Sequence, residues 1–288
     1  DTLEGLRERL IGRTLLVVAC SVIIMLAIIT YFIFQAGLPL IVRLGLDDFL
    51  FNPHWMPAEK GGSFGIGAMV LGSLWVTLGA LIVGVPLGLA VAVFSAELAP
   101  EWLSTVIRPA IQLLAGIPSV IYGFVGLTVL VPWVRAHLGG PGLSVLTAAV
   151  VLGIMILPNI ISISEDALRA VPPAYREGAL ALGSTRWQMI WRVLIPAARS
   201  GIAASVILGM GRALGETMAV IMMIGNSLQV PRSLLDPATT MTSNIGLEMA
   251  YASGEHREAL FATGVVLFVF IMVLNLAANT VSRRRVKS

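Results

Sequence analysis

Four uncharged apolar runs, Thr14–Val42, Gly61–Ala96, Pro109–Val134 and Ala259–Ser282, constrain this chain more than anything else in its sequence. Each exceeds the roughly 20 residues that an α-helix needs to cross a hydrocarbon core. Only 12% of the residues are charged, against about a quarter in soluble domains, so a soluble enzyme is excluded. The runs are unbroken blocks of Leu, Ile, Val and Ala instead of short alternating segments, which excludes a β-barrel. Within lipid each backbone polar group must be satisfied inside its own segment, and the runs are therefore helices.

Six spans fit the pattern, near Thr14–Phe34, Ala68–Phe94, Ile111–Trp133, Leu143–Ile163, Ala203–Ile224 and Leu260–Asn279, within a single transmembrane domain over residues 1–288. The first run is too long for the apolar region of a cleaved signal peptide, so it reads as a retained span. An even number of spans puts both termini on one side. The segments on that side hold thirteen Lys and Arg residues, among them Arg7, Arg108, Arg169, Arg192 and Lys287. The other side holds five: Arg43, Lys60, Arg135, Arg232 and Arg257. Basic residues collect in cytoplasmic loops, which predicts cytoplasmic termini and an external segment over 35–64. The nineteenth basic residue, Arg212, falls inside the fifth span.

Pro86, Pro118, Pro132 and Pro158 are expected to kink or interrupt helices, and Gly84 and Gly88 lie one turn apart, as close helix packing favours. Trp55, in the external segment, is expected at headgroup level, and Gly62–Gly67 reads as a turn leading into the second span. The loop over 164–200 is polar and punctuated by Pro172, Pro173, Gly183 and Pro196, which predicts short helices outside the bilayer. Cys20 has no partner with which to form a disulfide. His54, His137 and His256 lie in separate loops without metal-ligand spacing, so no metal site is expected. No Walker A loop is present, the only lysines being Lys60 and Lys287, and any ATP must be handled by a separate subunit. No cofactor is expected.

Two constellations carry chemistry. In the loop, Glu177-Gly178-Ala179 is followed after three residues by Gly183 and after nine more by Val193-Leu194-Ile195-Pro196. Gly183 can end a short helix and reverse the chain, while Ala179, Leu180 and Leu182 offer small and apolar contacts beside Arg176 and Glu177. In the fifth span, Arg212 and Glu216 are four residues apart, which on a continuous helix puts them on one face where they can pair. A charge at mid-membrane depth belongs inside the bundle or beside an aqueous cavity. The pair reads either as an ion pair that fixes helix packing or as an anion path, with Gly211 and Gly215 allowing close approach.

The loop spacing resembles the EAA loop of ABC-importer permeases, with Gly178 in place of the first Ala. In that family the loop forms a coupling helix that docks on the ATP-binding subunit, which would make Arg176, Glu177, Gly178, Ala179 and Gly183 coupling residues. Arg212–Val220, Ile117–Gly123 and Glu97–Pro100 narrow the resemblance to the PstC family of phosphate-importer permeases. The resemblance implies an all-α type I importer bundle of six transmembrane helices in the cell inner membrane, paired with a PstA-like permease subunit. It further implies a PstB-like ATPase dimer and a PstS-like periplasmic phosphate-binding protein. Arg212 and Glu216 would then line the route of phosphate, and the chain would hold no catalytic site and bind no nucleic acid. A permease for sulfate or molybdate, or a membrane sensor or scaffold in phosphate signalling, stays open on the residues alone.

Overall fold

The computed structural model describes residues 2–57 and 62–284 of the chain, with side chains over 10–57 and 62–276; Lys60, Arg285 and Lys287 lie outside the described residues. Among these, five helices are long and apolar enough to cross a membrane, and a sixth span is formed if a bent pair is counted as one. The bent pair, Arg186–Ala197 and Arg199–Gly215, meets at 71°.

The chain opens with α1 (Thr2–Leu44) and a short α2 (Leu46–Phe51). A two-stranded antiparallel hairpin follows, β1 (Trp55–Met56) and β2 (Ser63–Phe64), with Trp55 opposite Phe64. The glycine-rich stretch therefore contributes a strand before it leads into α3 (Gly67–Val93). Next come α4 (Glu101–Gly116), α5 (Ser119–Val125), α6 (Val131–His137) and the long α7 (Val145–Arg169). After α7 the chain forms α8 (Pro173–Ala181), α9 (Arg186–Met189), the single turn α10 (Ile195–Ala197), α11 (Arg199–Gly215) and α12 (Met218–Met223). It ends in α13 (Met241–Glu248) and α14 (Glu255–Arg284). Pro118, Pro132 and Pro173 stand at or beside helix N-termini, where a missing N–H costs nothing, whereas Pro86 and Pro158 lie within α3 and α7.

The centre of the bundle is the seam between α3 and α7. A Cβ on Gly84 would lie 2.7 Å from Ile156 and 2.8 Å from the Gly153 carbonyl, and one on Gly88 would lie 2.7 Å from Ile160. The absent side chains are what let the two backbones approach, as in other small-residue helix contacts. Val76, Ala80, Leu152, Ile156, Ile160, Val220 and Met223 complete this core. A second cluster, at the end of the bundle carrying the hairpin, joins Leu40, Phe49, Trp55, Phe64, Met69, Met241 and Leu260. A third, at the opposite end, joins Val93, Leu168, Val171, Ala179, Ile190 and Leu194.

Helix α1 packs on α14 through edge-to-face pairs, Phe32 with Phe261 at 5.5 Å and Phe34 with Phe268 at 5.9 Å. The earlier part of α1, from Leu10 to Met25, is exposed along its length. Trp55 is buried, and its indole N–H donates to Glu248 Oε2 at 2.9 Å. His256 Nε2 lies 2.7 Å from the same oxygen and ties α14 to that junction.

The seam yields a direct expectation. Gly84→Val should destabilise the purified protein by about 1–3 kcal/mol, since neither Ile156 nor a backbone carbonyl can give way cheaply. Gly12→Ala, where nothing lies within 4 Å, should be neutral. Thermal unfolding of the two variants in one detergent checks this, and equal midpoints would contradict the seam.

Candidate translocation and coupling sites

The fifth span does not run continuously from Ala203 to Ile224. Helix α11 ends at Gly215, Glu216 adopts an extended backbone with φ −72° and ψ 128°, and α12 starts at Met218. Glu216 is thus outside the helix that carries Arg212, and the two do not share a helical face. No ion pair joins them among the described residues. The Glu216 carboxylate turns forward instead, where Oε1 accepts the Ala219 N–H at 3.3 Å. A negative charge at a helix N-terminus is favoured by the unsatisfied N–H groups there, which explains why Glu216 serves α12 and leaves α11.

Arg212 lies in the last turn of α11, half-buried, and its Nε is buried with no hydrogen-bond partner. Tyr122, from α5, is within electrostatic reach of its charge. A buried guanidinium N–H without a partner is costly, so the site has unused capacity for an acceptor.

Glu216 lines a narrow crevice, which Arg212 does not enter, with Val220 and with hydroxyl groups from two further segments, Ser73 and Thr77 of α3 and Thr240 and Thr242 beside or within α13. Thr242 Oγ1 donates to the Glu216 carbonyl at 2.9 Å, which satisfies a group freed by the helix break. Ser73 Oγ accepts the Met241 N–H at 3.0 Å, and a capping box between Thr240 and Ser243 starts α13. Sequence reasoning missed this hydroxyl wall. The density of Thr and Ser over 239–243, just before a short helix, was the available signal.

The loop residues fall into two groups. Ala179 is buried against Leu168, Ile190 and Leu194, while Glu177, Gly178 and Gly183 are exposed. Gly183 has φ +81° and follows α8 directly. Its N–H donates to Leu180 O at 3.0 Å and that of Ser184 to Ala179 O at 3.2 Å, a glycine-terminated helix end. Thr185 and Gln188 then form a capping box that starts α9. Leu182, Tyr175, Trp187 and Trp191 are exposed on this side of the molecule.

Arg176 is turned inward. Its Nη2 donates to Glu97 Oε1 at 2.6 Å and to Leu168 O at 2.8 Å, and Nη1 donates to Val171 O at 2.7 Å. A few residues away Glu165, 3% exposed, accepts from Arg108 Nη2 at 2.9 Å and from Arg169 Nε at 2.9 Å through a single oxygen. Among the described residues, no group of three or more His, Cys, Asp or Glu side chains converges as metal ligands would.

A membrane bundle with a broken helix around an arginine and a short helix held on a glycine-ended loop outside it defines a transport permease. The chain belongs to the family described as the binding-protein-dependent transport system inner membrane component, whose model matches residues 84–287. It is therefore a multi-pass permease subunit of an ABC importer, with ATP hydrolysis carried by a separate subunit. Over 98% of its length it is 42% identical to the probable ABC transporter permease protein YqgH of Bacillus subtilis (strain 168), covering 92% of that protein. It is 39% identical to the phosphate transport system permease protein PstC of Haemophilus influenzae, with coverage of 96% of this chain and 93% of the relative. In fold it is similar to a chain of the inward-facing MetNI methionine ABC transporter, with a TM-score of 0.58 and 20% identity over 77% of this chain and 94% of that one.

The backbone at Gly183 generates a test. Gly183→Val places a β-branched residue in the left-handed region at a cost of about 1–2 kcal/mol, although nothing crowds the position. Gly183→Asn, which tolerates positive φ, should be milder. Limited proteolysis between α8 and α9 should rise in the order wild type, Asn, Val; equal cleavage of all three would remove the turn from the account.

Proposed function

We propose that this chain is the PstC-like permease subunit of an ATP-driven phosphate importer, moving inorganic phosphate across the inner membrane by alternating access. The observation that carries the reading is Arg212, a half-buried arginine in the last turn of α11 whose buried Nε has no partner. The kinship with PstC of Haemophilus influenzae supports phosphate as the anion. Partners in this reading are a PstA-like permease subunit, a PstB-like ATPase dimer and a PstS-like periplasmic receptor that delivers phosphate. Both termini and the α8 side face the cytoplasm, and the hairpin around Trp55 faces outward.

In a low-dielectric path Arg212 neutralises the oxyanion and donates charge-assisted hydrogen bonds to it. Glu216 uses Oε1 on α12 and leaves its second oxygen to accept a hydrogen bond from a protonated phosphate oxygen. Fully deprotonated sulfate has no proton to offer there and is disfavoured. On the cytoplasmic side, Glu177, Gly178 and Gly183 present the loop to the ATPase, while Arg176 and Ala179 hold it to the bundle. The exposed Leu182 and Tyr175 add apolar area to that contact.

Uptake of labelled phosphate by the assembled complex, with arsenate and sulfate as competitors, tests the assignment. Arg212→Gln should abolish uptake in a normally assembled complex, and Arg212→Lys should retain a trace at most, because Lys lacks the planar fork. Adding Glu216→Gln should restore nothing, since the two side chains are not paired. Full uptake by the double variant would exclude a translocation role for Arg212, and preferred uptake of sulfate or molybdate would replace phosphate.

Orientation is tested separately. In a Cys20→Ala background, a cysteine at Ser63 should react with an impermeant reagent from outside, and one at Ser282 only after permeabilisation. The reverse pattern would invert the topology.

A further inference from the structure

The coupling reading leaves Arg176 with an unusual geometry, because each of its guanidinium nitrogens is engaged within the chain and only one N–H, on Nη1, is left over. Nε lies 3.1 and 3.2 Å from the two Glu97 oxygens, Nη2 reaches Glu97 and Leu168 O, and Nη1 reaches Val171 O. The Glu97 side chain is only 7% exposed and that of Arg176 only 23%, so the pair is shielded by the protein. Removing one partner of such a pair leaves the other charge buried and unpaired.

Glu97 belongs to a π-helical turn, Phe94–Leu98, that continues α3 without a break before Ala99 and Pro100 extend the chain. The same turn receives a second tie, since Arg169 Nη2 donates to Ser95 O at 2.9 Å. Arg169 is itself held by Glu165, which also binds Arg108 of α4. The C-terminal end of α3, the middle of α4 and the last turns of α7 are thus bound into one unit by Glu165 and Arg169, and α8 joins that unit through Arg176 and Glu97. At its other end α3 carries Ser73 and Thr77, which line the cleft around Glu216.

We propose that Glu97 is a positioning residue for transport: it clasps Arg176 so that displacement of α8 is passed to α3, and through α3 to the crevice lined by Glu216, at the end of the helix that carries Arg212. Glu165 anchors the bundle side of the clasp. Arg176 then acts within the chain, without touching the ATPase. The inference rests on the coupling role proposed for α8 and adds the route by which it reaches the anion path.

The test uses the complete importer in proteoliposomes, with ATP hydrolysis, bound ATPase and labelled phosphate uptake measured on one preparation. Glu97→Gln and Arg176→Gln should each keep the ATPase bound and hydrolysing while phosphate moved per ATP falls by about fivefold or more. The double variant should be no worse than Arg176→Gln alone, because that change already removes the pair together with the carbonyl bonds of Arg176. Loss of bound ATPase in Arg176→Gln, with Glu97→Gln still coupled, would overturn the proposal and assign Arg176 to the ATPase contact. A lowered yield of complex with unchanged phosphate per ATP would also overturn it, since that is what a purely structural pair produces. Should Glu97→Gln fail to assemble, Glu97→Asp decides: a lowered ratio supports the clasp and a wild-type ratio overturns it. Failure of the phosphate assignment is separately visible, because the wild-type complex would then carry another oxyanion, and the same ratios are read with that anion.

Discussion

The close seam of α3 and α7 supports everything else in this molecule. Gly84, Gly88 and Gly153 remove the side chains that would hold the two helices apart, and Ile156 and Ile160 fill the space. Lipid tails are as apolar as the helix surfaces, so burial alone gives little reason for these helices to associate; close packing has to supply it. Helix α3 spans 27 residues, or about 40 Å at 1.5 Å per residue. One of its ends meets the Glu216 cleft and the other meets the loop carrying α8. Both functional regions are therefore mounted on one packed pair.

Charge is handled differently at the two places. At the α8 end, Arg108, Arg169 and Arg176 are satisfied by two carboxylates, Glu165 and Glu97, and by backbone carbonyls. Around Arg212 the protein leaves a guanidinium N–H without a partner. The first arrangement fixes geometry, because Glu165 and Glu97 are buried carboxylates that depend on these arginines for their partners. The second has donor capacity in reserve, which is what the anion role proposed for Arg212 requires.

The broken fifth span follows from the same economy of backbone groups. Ending α11 at Gly215 frees carbonyls and N–H groups in an apolar setting, and each must be met. Thr242 donates to one and the Glu216 carboxylate accepts another, so the break is held by side chains from two segments. Irregular backbone at this depth is tolerated only where it is enclosed by protein or lines a cavity, and here the enclosing wall is made of hydroxyl groups.

Much was legible in the sequence by itself. Uncharged runs longer than a bilayer core determined that the chain is a helical membrane protein, because unbroken apolar blocks without alternation leave the helix, and not the closed barrel, to satisfy the backbone polar groups there. The loop sequence also predicted a short helix ended at Gly183, since a glycine at a helix end has a fixed conformational meaning, and α8 ends there with Gly183 at φ +81°. The tertiary structure decided which charges meet. Arg212 and Glu216 are four residues apart but separated by a helix end, which periodicity alone cannot reveal. Glu97 and Arg176 are 79 residues apart and Arg108 and Glu165 57, and only the packing of α3, α4 and α7 brings them within hydrogen-bond distance. Local pattern is set by the backbone of one segment, whereas charge pairing depends on how separate segments lie against one another.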